Sequence, residues 1–141
     1  MEKKEPIRVA HIMGKMIGGG VETIVMNYYK NINHSKIQFD FICDSDSTNI
    51  PREEIEALGG KVILVSPYQK VFKYHRELKK ILKDGNYKIV HSHISTMSLF
   101  SLFAAKCALA RRTSAECHRV SFSSFNSLSV IAVLPLYFSI L

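Results

Sequence analysis

Arg8-Val-Ala-His-Ile-Met-Gly-Lys-Met-Ile-Gly-Gly-Gly-Val-Glu22 reads as a buried strand, a glycine-rich loop and the first turn of a helix. Ile7, Val9, Ile12 and Met13 give the apolar run of an interior parallel strand. Gly14 and Gly18-Gly19-Gly20 supply backbone that can come close to a ligand with no Cβ in the way. Val21 to Tyr29 recurs at helical spacing, Glu22 helps set the helix start, and the first free amides point back across the loop. Such a loop attracts anions, phosphates above all; the plain alternative is a mere connection in an α/β domain. A Walker loop is excluded, because Val21-Glu22 stand where Lys-Ser/Thr would follow the last glycine. The G-x-G-x-x-G dinucleotide spacing is also missing, the glycines being bunched at the far end of a longer loop. Asp44 lies where a ribose-binding carboxylate would sit, which keeps a nicotinamide-dependent oxidoreductase as a third reading.

Further along, Gln38–Cys43 is a second strand with Phe39, Phe41 and Cys43 on one side. Pro51 to Leu58 is a short helix stopped at Gly59-Gly60, and Lys61–Val65 is a third strand. Val71–Lys83 is an amphipathic helix with Val71, Phe72, His75, Leu78, Ile81 and Leu82 as its apolar stripe. Tyr87–His93 is a fourth strand, and Met97–Ala108 a fourth helix. Alternation of this kind predicts an α/β fold, a Rossmann-like parallel sheet with helices on both faces. The Gly18 loop, Asp44, Ser66 and His91-Ser-His93 then share the carboxyl edge of the strands, where ligands of such sheets bind.

The chain has 141 residues, one domain's worth, with 47% hydrophobic and 22% charged residues, which excludes a disordered chain. Cys43, Cys107 and Cys117 show no CxxC spacing and read as free thiols of a reducing cytoplasm. The N-terminal apolar run is too short for a signal peptide and is interrupted by Arg8 and His11. A net charge of +7 favours an anionic partner: a sugar nucleotide, a lipid headgroup or nucleic acid.

Gly-Gly-Gly-Val-Glu-Thr after the first strand and Lys88-Ile-Val-His-Ser-His after the fourth resemble the N-terminal half of GT-B retaining glycosyltransferases of family 4, the bacterial capsule and exopolysaccharide type above all. The likeness runs from about Ile7 to Ala108. It implies a Rossmann-like acceptor-side domain over residues 1–108 and a nucleotide-sugar donor. The acceptor would be a glycan, in the lipid-linked case at a membrane, with retained anomeric configuration, no essential metal or other cofactor, and no nucleic-acid partner. The glycine loop of such enzymes lies beside the donor diphosphate, which maps onto Gly18, Gly19 and Gly20. Amide groups there would stabilise the charge developing on the leaving group.

His91 and His93, two apart on a strand, point to one face. As metal ligands they lack a matching carboxylate or a further nearby histidine, so no metal is expected; the open readings are hydrogen-bonding groups of an acceptor cleft and structural imidazoles. His11, inside the first strand, reads as a satisfied core histidine. Lys70, Lys73, Arg76, Lys79, Lys80 and Lys83 form either a solvated face or a contact with the anionic inner leaflet of the cell membrane.

The resemblance calls for a fifth strand ending in another histidine, but Leu109–Arg119 has no apolar run, and His118 lacks the matching surroundings. No charge follows between Val120 and Leu141. Residues 109–141 therefore read as an aberrant tail left by a frameshift or truncation, in preference to a serine-rich membrane segment. The fold would be incomplete at its C-terminal end, and the chain inactive alone for want of a donor-binding domain. The alternative from another class is a non-catalytic basic module docking to a membrane or a partner subunit.

Overall fold

Apolar side chains on both sides of one short run require cover on both faces, and the first strand has it. In a computed structural model, which describes residues 5–85, 87, 89–94, 101, 103–105, 107, 121–124 and 130–133, β1 (Ile7–Gly14) is buried from Val9 onward. It is followed by α1 (Gly20–Asn31), β2 (Ile37–Asp44), α2 (Arg52–Ala57), β3 (Lys61–Val65), α3 (Val71–Asp84) and β4 (Ile89–Ser92). Residues 101, 103–105 and 107 are helical; the rest of the fourth predicted helix lies outside the described residues. β1 pairs in parallel with β2 and β4, and β2 in parallel with β3.

Alternate residues of β1 serve opposite cores. Ala10 and Ile12 meet Ile42, Tyr74, Leu78 and Leu82 of α3, and Ala104 and Ala105 on one face. Met13 meets Phe41, Cys43, Val25, Met26 and Tyr29 of α1, and Ile55 of α2 on the other. The doubly covered α/β architecture is thus present. The α2 stop is as expected, with Gly59 at φ +89°, a left-handed turn suited to glycine.

One amphipathic assignment needs correction. Phe72 is 93% exposed, and Tyr74 takes its place with Leu78 and Leu82 in the buried face of α3. Burial follows the i, i+4, i+8 row from Tyr74, which leaves Phe72 on the far side.

The sheet does not end at β4. β5 (Ser121–Ser124) and β6 (Val130–Val133) extend it to six strands in the order β3-β2-β1-β4-β6-β5, with β6 antiparallel to β4 and β5 antiparallel to β6. Both come from the stretch read as a tail. Val130-Ile131-Ala132-Val133 is rich in β-branched residues, and the open edge of β4 offers them unpaired backbone groups.

A polar staple joins the amino ends of the strands. Asp40, 1% exposed, accepts from Arg8 Nε (2.8 Å) and Nη2, from Tyr87 Oη (2.8 Å) and from the Lys61 amide (3.0 Å). Burial and the Asp40 carboxylate together push the Tyr87 hydroxyl above its ordinary range, so it stays a donor.

Candidate functional site

The chain runs outward from β1 to β2 and β3, then crosses back to place β4 on the other side of β1. That reversal makes the carboxyl ends of β1 and β4 the switch point of the sheet, where a crevice forms. The glycine loop leaves β1 there and His93 leaves β4. They touch: the His93 amide donates to the Ile12 carbonyl (2.9 Å), and a Cβ on Gly14 would lie 3.2 Å from Ile94 Cγ1. Gly14 also sits at φ +70°, a left-handed conformation that favours glycine.

The loop's amides converge on an anion that the chain itself provides. The amides of Ile17 (3.0 Å), Gly18 (2.5 Å) and Gly19 (2.8 Å) all donate to the Glu22 carboxylate. Three consecutive N–H groups in this arrangement form an anion-binding nest at the start of α1. Gly20 opens the helix, exposed and with open space around its Cα. The outer side of the loop is held by the turn after β2: Ser47 Oγ accepts the Met16 amide (2.9 Å), the Met16 carbonyl accepts the Thr48 amide (3.0 Å), and Lys15 pairs with Asp46 (2.9 Å). Gly18 is at φ +93°, and a Cβ there would come within 2.8 Å of Asn49 Nδ2.

His91 and His93 share a face, as their spacing requires, but the absence of a third histidine is overturned. The β1–β4 register sets His11 opposite His91, and His11 Nδ1 lies 3.0 Å from His93 Nε2. Ring centroids are 5.2 Å apart for His11–His91, 5.3 Å for His11–His93 and 4.0 Å for His91–His93. Nor is His11 a satisfied core histidine: its Nε2 and that of His91 are buried with no hydrogen-bond partner. Burial, then the neighbouring rings, holds His11 well below its ordinary pKa. Burial and His91 bring His93 down to about 3, and burial lowers His91. All three imidazoles are neutral near pH 7. His11 is buried, and His91 and His93 are half-buried.

Sequence reasoning missed His11 because facing across two strands depends on register, which nothing local encodes. Asp44 ends β2 on the same edge but is 1% exposed. A ribose could not reach it without displacing the loop, which counts against the oxidoreductase reading. Cys43 is buried against Met16, and burial pushes its thiol up to about 12, so it is no nucleophile.

The basic side chains lie elsewhere. Lys70, just before α3, and Lys73, Arg76, Lys80 and Lys83 on it are exposed, and Lys79 is half-buried. Glu77 engages Lys73 (3.7 Å) and accepts the Ser66 amide (2.8 Å), tying α3 to the end of β3. Among the described residues no helix is long and apolar enough to cross a membrane.

The sequence profile of Glycosyltransferase Family 4 matches residues 18–137. The chain is 34% identical over 104 residues to "Putative glycosyltransferase EpsF" of Bacillus subtilis (strain 168), an alignment covering 72% of this chain and 27% of that protein. It is 32% identical over 92 residues to a capsular polysaccharide biosynthesis glycosyltransferase, CapH of Staphylococcus aureus, covering 65% of this chain and 25% of that protein. The chain thus spans about a quarter of the length of the curated relatives it matches. No solved structure gives a significant match.

Proposed function

The chain belongs to glycosyltransferase family 4, and from that premise we propose that it forms the acceptor-side part of an enzyme that moves a sugar from a nucleotide donor to a glycan in surface-polysaccharide synthesis. The donor diphosphate lies over Gly18, Gly19 and Gly20, and the acceptor hydroxyls face His91 and His93. What carries the reading is the nest at the switch point. Its amides already hold a carboxylate, so they are oriented for an anion before any donor arrives. A diphosphate would exchange with Glu22, taking over the amides as charge builds on the leaving group. Neutral imidazoles, held in place by the His11–His93 contact, can accept or donate to sugar hydroxyls without carrying charge into the cleft.

The test is an amide-resolved NMR titration of the chain with UDP- and GDP-sugars, with NAD and NADP in parallel. The Ile17–Val21 resonances should move with the sugar nucleotides and not with the dinucleotides. Glu22→Gln should tighten the diphosphate about two- to fivefold, the 0.3–1 kcal/mol worth of a charge at a helix start. Shifts only with NAD or NADP, or none in this loop, would overturn the assignment.

A second reading concerns where the enzyme works. Exposed Arg76, Lys80 and Lys83 follow one helix face, and Phe72 stands bare on the same helix. In this reading α3 rests on the anionic cytoplasmic leaflet beside a lipid-linked acceptor. Vesicle sedimentation should then require anionic lipid and weaken with salt. Charge reversal of Arg76, Lys80 and Lys83 to Glu should reduce binding roughly a hundredfold, at about 1 kcal/mol per cation. Binding that ignores lipid charge or survives the reversal would remove the membrane contact.

A further inference from the structure

We infer that His11, His91 and His93 form a transition-metal site with the chemistry of Zn²⁺. One nitrogen from each ring can be chosen so that all three lie within 4.8 Å of one another. Tetrahedral Zn²⁺ with Zn–N near 2.1 Å wants its nitrogens about 3.4 Å apart, and small ring rotations close that gap. His11 Nδ1 and His93 Nε2, at 3.0 Å, are already that near.

The hydrogen-bond accounting points the same way. The trio's own hydrogen bond, between His11 Nδ1 and His93 Nε2, leaves the Nε2 of the third ring, His91, buried and unpaired. A buried polar atom without a partner is costly, and it ordinarily marks a ligand or a water. Phe39 and Phe41 pack against His11, with ring centroids at 4.1 Å and 5.9 Å, and give the inner side of the site an apolar wall. His91 and His93 are half-buried, and a bound ion would take water or a ligand oxygen as its fourth partner on their side. Three neutral imidazoles with one open position is a donor set suited to Zn²⁺, and a hard cation such as Mg²⁺ would not choose it. The inference stands apart from sugar transfer: the ion would bridge β1 and β4 whether or not the cleft accepts a glycan.

The experiment uses the untagged 141-residue chain. Zn²⁺ titrated against a chromophoric chelator should bind with one equivalent, and Co²⁺ in its place should show the visible bands of a tetrahedral site. X-ray absorption of the zinc-loaded chain should give a nitrogen and oxygen shell with imidazole scattering. His11→Gln and His93→Gln, each with unchanged circular dichroism, should weaken binding at least about a hundredfold. No uptake at micromolar Zn²⁺ would overturn the site. So would a sulfur-containing shell, which points to the cysteines, or affinity unchanged in both variants, which points to histidines elsewhere. If either variant fails to fold, the absorption spectrum of the unaltered chain still decides.

Discussion

Asp40→Ala is expected to cost about 3–5 kcal/mol of folding stability, the penalty for stranding a buried charge partner. Four donors lose their acceptor together: Arg8 Nε and Nη2, Tyr87 Oη and the Lys61 amide. The guanidinium is left half-buried without its carboxylate partner. Against a total stability of roughly 5–15 kcal/mol for a domain, this single change removes about a fifth or more. Chemical denaturation should show it as a lower midpoint at unchanged slope. The double variant with Arg8→Met separates the two contributions. If the staple acts as a pair, the double variant is less damaged than the sum of the single changes. A loss under about 1 kcal/mol for Asp40→Ala would mean that water, and not Asp40, satisfies these donors.

Asp44→Asn should act in the opposite direction. Burial raises the Asp44 carboxyl to about 6, partly offset by the Tyr68 backbone, with Asp46 raising it further and Lys15 opposing. A carboxyl whose pKa is higher in the folded state holds its proton more tightly there than in the unfolded chain. Its contribution to stability is therefore complete below the ordinary value of 3.8, declines as pH rises, and is lost above about 6. At pH 7–8 the ionised carboxylate, buried on this edge, opposes folding by about 2–3 kcal/mol, the worth of the shift. The amide variant carries no charge to bury. Thermal melts of both proteins from pH 4 to pH 8 should diverge as pH rises, with Asp44→Asn the more stable at the upper end. Parallel curves would mean that Asp44 titrates as an ordinary carboxylate.

Much of the site was legible in the chain because it is local. Glycine between an apolar run and a helical repeat announces a loop that must come close to something, and Glu22 three residues past Gly19 is within capping distance. That the same carboxylate would collect three amides was not legible, since it depends on the turn taken by Ile17 and Gly18. On α3 the lysine and arginine side chains are exposed except for half-buried Lys79, whereas Phe72, apolar by type, lies outside the core. Tyr74 is in phase with Leu78 and Leu82, and phase prevails over the identity of one side chain. Past Ala108, the absence of charge drew attention from Val130–Val133, whose strand character shows only beside the partner edge that β4 presents.

By itself the sequence determined the alternation of strand and helix, the burial of β1 on both faces, the glycine punctuation and the placing of ligand groups at one end of each strand. These follow from periodicity and backbone freedom over a few residues. Only the tertiary structure decided which strands are neighbours and in what register. That choice brings His11 to within hydrogen-bonding distance of His93, 82 positions away, and Asp40 under Tyr87, 47 positions away. The physical reason is that side chains far apart in the chain meet only after strand order and register are set, and those come from the packing of the whole sheet.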